Sequence, residues 1–423
     1  MFNPVDLFIN LNPVELITLI FVVLYFPRIL AYFSAFSKQE HLVNKKKNRL
    51  AVLIPARNEG KTVLPLFDSL KNQTYASELF DAFVVVKEKT DPVIGYAKDY
   101  GIEAFVDESQ TCKGDCLDYG FKQILEKYSG KYDAFIIVDA DCVLTPSFME
   151  EMNNSMASGA DVINAKKLIK NFYLGTKKDR NIVTDLNCLI WSFMDDLGNK
   201  WKSDHGVTTM TITTGILIKA HIIESYGGWI HKSTLTEDME FQRDCALKGF
   251  KTYYSTYAKF YIEESPSFVE TNKRRMRWMD GLTHADYLYA GRLLSMKGFE
   301  AMLNNYFMFN LWIVYAFIAT LLVLFSLYTA QAVLYYLFGN LLWKEAAHIA
   351  FQAISSIYLS FLVPTIIALL VNGKEMRLNP IRWLVVLIFN PISYMLYIPV
   401  QARAIVHTDK DAGWEEIARV EVE

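Results

Sequence analysis

A paired cysteine framework is the first thing this sequence lacks. Its five cysteines (Cys112, Cys116, Cys142, Cys188 and Cys245) all lie in the polar middle of the chain. An odd number without pairing predicts free thiols in a reducing compartment. Cys112 and Cys116 are close in sequence, but no histidine or second cysteine pair completes a zinc site. Net basic charge is also missing. At a formal charge of -3 no field draws in a phosphate backbone, which excludes nucleic acid as a partner. No small-residue cleavage site of the signal-peptide kind follows the first apolar stretch.

The most informative absence is local. Charges are frequent between Arg49 and Arg292, but residues 306–343 and 383–402 carry none, and 346–371 holds only His348. These stretches predict transmembrane helices, the first being too long for a single span of a hydrocarbon layer roughly 30 Å thick. A further apolar stretch, 16–36, is interrupted by Arg28, whose charge is expected to snorkel to one face. Lys45, Lys46, Lys47 and Arg49 follow it, and positive charge after a span marks the cytoplasmic side. The bland reading of that run is a solvated linker. Lys374, Arg377 and Arg382 also point to the cytoplasm, as does the tail with Lys410, Trp414 and Arg419. Either 383–402 makes a re-entrant turn at Pro391, or one of the two charge signals misleads.

Between these regions short apolar runs at 50–54, 82–86, 134–138, 162–165 and 213–218 alternate with helical stretches such as 61–71 and 116–127. That alternation predicts an α/β domain with a parallel sheet. Ligands in such sheets bind beyond the carboxyl ends of the strands. Chemistry is therefore expected near Pro55 and Asp139. Residues 287–303 mix apolar positions with Arg292, Lys297 and Glu300 and read as an interfacial amphipathic helix or a plain surface helix.

Four constellations carry chemistry. Asp139 and Asp141 flank Ala140 directly after an apolar run. Two such carboxylates can converge on Mg2+ or Mn2+ and leave positions open for phosphate oxygens. Their bland reading is a pair of solvated turn aspartates. Thr236, Glu237 and Asp238 read either as a cap with acidic residues in a first turn or as the site of a general base, with Asp238 taking a hydroxyl proton. Arg274, Arg277 and Trp278 lie in a basic run that ends at Asp280 and Gly281. Arginines can fork onto diphosphate oxygens and a tryptophan face can stack on a sugar, unless the run simply lies on anionic lipid. Pro55, Asn58 and Glu59 form a polar loop at a strand end.

Taken in order, these elements resemble the family-2 glycosyltransferases, in particular the membrane-bound branch of hyaluronan, chitin, cellulose and poly-N-acetylglucosamine synthases. The likeness rests on Pro55 to Glu59, Lys113-Gly114, Asp139 to Asp141, Thr214-Gly215, Thr236 to Asp238 and Arg274 to Trp278, with an acidic-proline element at Glu263 to Pro266. The resemblance implies a GT-A fold in a cytosolic domain and an inverting displacement on a nucleotide-diphosphate sugar. It makes Asp141, helped by Asp139, the metal ligand. Asp238 is the base, with Glu237 beside it. Arg277 steadies the diphosphate, Trp278 and Arg274 grip the acceptor, and Lys113 and Glu59 lie near the nucleotide. Two departures stand out. The segment expected to hold a uracil reads Val86-Lys87-Glu88-Lys89-Thr90-Asp91, leaving Asp91 as a candidate and the base open, and Arg274 stands where the family has glutamine.

The implied architecture is a membrane segment and linker (1–47), the transferase domain (48–285), an interface helix (286–305), transmembrane helices (306–403) and a tail (404–423). No appendage for a cyclic dinucleotide is expected, and an accessory subunit is left open. The leading expectation is a synthase at the cell membrane that extends a polysaccharide, in contact with lipid, and exports it. Transfer of one sugar to a lipid or short acceptor is the enzymatic alternative. A non-catalytic scaffold on a transferase fold is the alternative of another class.

Overall fold

The computed structural model describes residues 26–173, 180–308, 333, 343–373, 375–376 and 378–406. Most of 306–343, the tail from 407, Lys374 and Arg377 lie outside the described residues, and so do the expectations placed on them.

Eight strands form one sheet: β1 Leu50–Pro55, β2 Phe80–Val86, β3 Glu103–Val106, β4 Ala134–Ile137, β5 Val143–Leu144, β6 Val162–Ile169, β7 Ile216–Lys219 and β8 Thr252–Ile262. Their order is β3-β2-β1-β4-β7-β6-β8-β5. The first four in that order are parallel, as are β6 and β8, whereas β7 runs antiparallel to both β4 and β6. The sheet is therefore mixed, not parallel throughout. Antiparallel insertion of β7 brings the residues preceding it to the edge where β4 ends, with Ile137 opposite Ile216. The carboxyl ends of β1, β2, β4, β6 and β8 and the entry to β7 thus share one edge.

The unbroken apolar runs of β1, β2 and β4 follow from burial on both faces. Leu50, Val52, Ile54, Val84, Val86, Ala134 and Ile136 face one core; Ala51, Leu53, Phe83, Val85, Phe135 and Ile137 face the other. This is the two-residue period of a strand dividing its side chains between layers. Helices Lys113–Lys127 and Glu237–Lys248 cover the second face. The first face is closed partly by Ile367, Ala368, Leu369 and Val386 from the C-terminal apolar helices Trp343–Asn372 and Pro380–Met395, and by Met376 between them.

Three local expectations change. The strand expected at 213–218 begins only at Ile216, because Gly215 turns the chain at φ +63°, in the left-handed region. Its absent side chain leaves room for Phe260, whose ring would lie 2.1 Å from a Cβ there. The stretch 287–303 is not one helix: its first part continues the helix Phe268–Ser295, and a second, Phe299–Met308, starts after Gly298. No re-entrant turn occurs at Pro391, which lies inside Pro380–Met395, and the next helix, Tyr397–Val406, follows at once. Among the described residues, Pro380–Ile405 is the one helical stretch long and apolar enough to cross a membrane, with a mean hydropathy of 1.7 and only 28% of its apolar window buried. Arg28 does not snorkel. Its guanidinium is buried against the rings of Tyr306 and Phe307. Two charges of the basic run are paired with the domain, Lys46 with Asp133 and Lys47 with Glu150.

Candidate active site

At the shared edge the chain gathers its carboxylates around one lysine. Lys113 starts the helix Lys113–Lys127, and its Nζ lies 2.5 Å from Asp139 Oδ1 and 3.8 Å from Glu237 Oε1. It also donates to the Thr213 carbonyl at 2.9 Å. Gly114 lets this helix start press against the loop before the acidic motif, since a Cβ there would lie 2.8 Å from Lys232 Cβ. Thr214 accepts the backbone N–H of Asp139 on its Oγ1 at 3.0 Å, tying the loop after β4 to the entry of β7.

Glu237 and Asp238 open the helix Glu237–Lys248 but differ in their surroundings. Glu237 is buried, and its Oε1 accepts from Thr213 Oγ1 at 2.6 Å. Asp238 keeps part of its surface open and is held by the N–H of Met239 at 2.8 Å. Desolvation and then the Glu237 charge push its carboxyl up to about 7, against the pull of Lys113. Burial likewise raises Asp139, aided by Asp141 and opposed by Lys113. Lys113 stays protonated, because Asp139 and Glu237 outweigh its desolvation. Thr236 makes no side-chain cap bond, contrary to its capping reading. Its side chain abuts Gly281, where a Cβ would lie 2.5 Å from Thr236 Cγ2. This contact seats the helix Phe268–Ser295 on the acidic motif.

That long helix brings the basic motif to the same cleft. Arg277 feels the charges of Glu237, Asp238 and Asp139, although burial and Arg274 lower its pKa from the usual arginine value. Arg274 and Trp278 belong to an adjoining pocket lined also by Asn187, Trp191, Glu264 and Arg275. Trp278 packs edge to face on Trp191, whose Nε1 donates to Glu264 Oε1 at 2.7 Å, and Arg274 Nη1 lies 3.3 Å from Glu264 Oε2. Trp191, Thr213 and Lys170 extend the site beyond the sequence motifs, and Glu264 belongs to the acidic-proline element. Lys170 pairs with Glu263 at 3.3 Å and approaches the Asp141 carbonyl. A run of five threonines between Thr208 and Thr214 was a readable signal for Thr213. Trp191, on an apolar helix, gave none.

Pro55 ends β1, opposite Val85, and Asn58 and Glu59 lie in the loop past it. Asn58 is exposed and, at φ 58°, is the one non-glycine residue among the described residues with positive φ. Asp91 follows β2, and its carboxylate accepts from the N–H of Val93 at 2.9 Å, ordering a turn into the helix Val93–Asp99. Among the described residues, Asp91 is neither hydrogen-bonded nor ion-paired to the lysine-centred cluster. Among the described residues no group of three or more His, Cys, Asp or Glu forms a metal cage. Asp139 and Asp141 nevertheless suit a hard cation whose remaining ligands come from a substrate, since they repel each other in a half-buried loop.

A family model described as Glycosyltransferase like family 2 matches residues 48–281. The chain belongs to this family. The matched span runs from the start of β1 to Gly281, so it contains every motif of the cleft. This family-2 chain is 22% identical over 292 residues to the probable glycosyltransferase YdaM of Bacillus subtilis (strain 168), covering 64% of each chain, just under two thirds of that relative's length. Its fold is similar to that of the mannosyltransferase PcManGT from Pyrobaculum calidifontis, solved with GDP-Man and Mn2+, with a TM-score of 0.59 and 15% identity over 94% of this chain and 99% of that one. The S. aureus TarS fragment 1–349 aligns over 84% of this chain and 90% of its own at 15% identity, with a TM-score of 0.41.

Proposed function

We propose that this glycosyltransferase carries out a single inverting displacement, moving a sugar from a nucleotide-diphosphate donor to a glycan acceptor at a membrane surface. The observation that carries the proposal is the opposed pair of roles in one cleft. Asp238 is a carboxylate raised to about 7 and partly open, while Lys113 and Arg277 supply fixed positive charge beside it.

The acceptor hydroxyl gives its proton to Asp238, its oxygen attacks the anomeric carbon from the face opposite the leaving group, and the bond from that carbon to the diphosphate oxygen breaks. A base with a pKa near neutral is both ionised and able to accept the proton. Lys113 and Arg277 hold the charge that grows on the departing diphosphate, in a site where burial strengthens their effect. Glu237 acts by position, clamping Thr213 and Lys113. A divalent cation held by Asp141 and Asp139 would add Lewis-acid neutralisation of the same diphosphate. PcManGT, with GDP-Man and Mn2+, is a precedent on this fold. Pro55, Asn58, Glu59 and Asp91 are proposed to meet the nucleoside, and Trp278 and Arg274 the acceptor.

The acceptor side abuts the apolar helices. Arg275 donates to Asn187 Oδ1 at 3.0 Å, approaches Ser393 and lies 4.2 Å from the Tyr397 ring centre. A glycan grown at Trp278 would be delivered directly to Pro380–Ile405, which supports extension of a polysaccharide coupled to export. The same contacts favour a second reading, transfer of one sugar to a lipid-linked or short acceptor. Arg275, Asn187 and Tyr397 fill the space a chain would have to traverse. Product length separates the two: a ladder of products from one labelled acceptor supports extension, and a single added residue supports the second reading.

A further inference from the structure

Away from the cleft, two cations are buried together without an anion. Arg28 is 5% exposed and Lys202 9% exposed. Arg28 lies over the rings of Tyr306 and Phe307, at 4.8 and 5.0 Å, and Lys202 Nζ lies 5.9 Å from the same Phe307 ring. Arg28 donates to the Tyr306 carbonyl. Among the described residues neither cation forms an ion pair, and Lys202 Nζ makes no hydrogen bond. Burial and the repulsion of Arg28 pull the Lys202 ammonium down to about 7. Burying like charges together is unfavourable unless something neutralises them. The nearby carboxylate Asp204 is taken by Lys200 at 3.0 Å.

The surroundings indicate which anion fits. On the segment that carries Arg28, Phe26, Leu30, Phe33 and Phe36 are about half exposed, and on the helix that carries Phe307, Phe299 is 72% and Met302 57% exposed. Trp201 stacks on His205 and packs against Phe307 at 4.8 Å, placing an amphipathic ring beside the one that both cations approach. Asn304 fixes the helix Phe299–Met308 to the domain by accepting the Thr208 N–H at 2.8 Å. A buried positive pair thus sits beneath two helices whose outer faces carry exposed apolar side chains, complementary to an anionic head bearing hydrocarbon chains.

We infer that Arg28 and Lys202 form a binding site for the phosphate head of an anionic lipid, whose acyl chains lie along Phe26, Leu30, Phe33, Phe299 and Met302. The phosphate accepts from both cations, and the aromatic rings exclude water from the pair. The site shares with the proposed function only the membrane location, and it lies on different residues from the cleft.

The test uses the full chain purified in a neutral detergent. Thermal midpoint is followed on titration with phosphatidylglycerol, with phosphatidylcholine and with inorganic phosphate, for the wild type, Lys202→Met and Asp238→Asn. Phosphatidylglycerol should raise the midpoint of the wild type and of Asp238→Asn alike, so loss of transfer and loss of lipid binding are separately visible. Lys202→Met has no hydrogen bond to lose. Without lipid it should melt above the wild type, and its apparent affinity for phosphatidylglycerol should be weaker by roughly tenfold or more. An equal response of Lys202→Met to phosphatidylglycerol would overturn the inference. So would equal effects of the two lipids, which would show apolar docking alone, or full stabilisation by inorganic phosphate, which would show a free-anion site.

Discussion

Asp238 concentrates the chemical claim in one side chain. Because its carboxyl is raised from 3.8 to about 7, the base is present above that value and lost below it. The kcat/KM profile should therefore fall on its acid side with a midpoint near neutrality, which initial rates across a pH series will show. The same shift has a sign for stability. Ionised Asp238 is disfavoured in the folded state, so its penalty is full above about 7 and vanishes as pH falls toward 3.8. Asp238→Asn should thus melt higher than wild type at about pH 8, by on the order of 1 kcal/mol, and show no advantage near pH 4. Gly215→Ala tests the fold at a single atom. With φ +63° and Phe260 at 2.1 Å, it should cost several kcal/mol or prevent folding, on the order of 3 kcal/mol or more. Expression yield and thermal melting would report that loss.

At the scale of elements, the apolar helices are bolted to the sheet by a buried polar network. Asp196, on the π-helical turn Phe193–Asn199, pairs with Lys166 at 3.1 Å and accepts from Asn372 Nδ2 at 2.7 Å. Lys166 also donates to Asn372 Oδ1 at 2.9 Å and meets Glu375 at 3.1 Å. Arg382 pairs with buried Asp185 at 2.8 Å. Replacing Asn372 with leucine leaves Lys166 and Asp196 each short of a partner, at a cost of about 1–3 kcal/mol, measurable as a lower midpoint in detergent. This network shows where sequence reading stops. The strands β1, β2 and β4 were legible because both-face burial writes an apolar run, and Asp139 was legible because it ends one. The strand β8 was missed despite Tyr253, Tyr254, Phe260 and Tyr261, since polar residues interrupt its pattern. The antiparallel sense of β7 is a tertiary fact that no local spacing encodes. Trp191 and Asn372 look like ordinary helix residues, and only long-range packing makes them partners of Glu264 and Asp196.

For the whole molecule, the transferase sheet and the C-terminal helices share one hydrophobic core, with Ile367, Leu369 and Val386 packed into the cluster that includes Leu189 and Leu197. A fragment of residues 48–285 alone should be insoluble or readily digested, because it would expose that face together with Lys166, Asp185 and Asp196. Limited proteolysis of the fragment and of the full chain would compare them directly. The central claim is catalysis by the carboxylate cluster, and its most direct test is nucleotide release from the purified full chain. A panel of nucleotide sugars would be supplied with lipid, with glycan and lipid-linked acceptors and with either Mn2+ or Mg2+, beside Asp238→Asn. The account predicts that one donor is turned over only when a divalent cation is present, and that the folded variant loses about 10² to 10⁴ in rate. Turnover unaffected by Asp238→Asn, or none from any donor under these conditions, would contradict it.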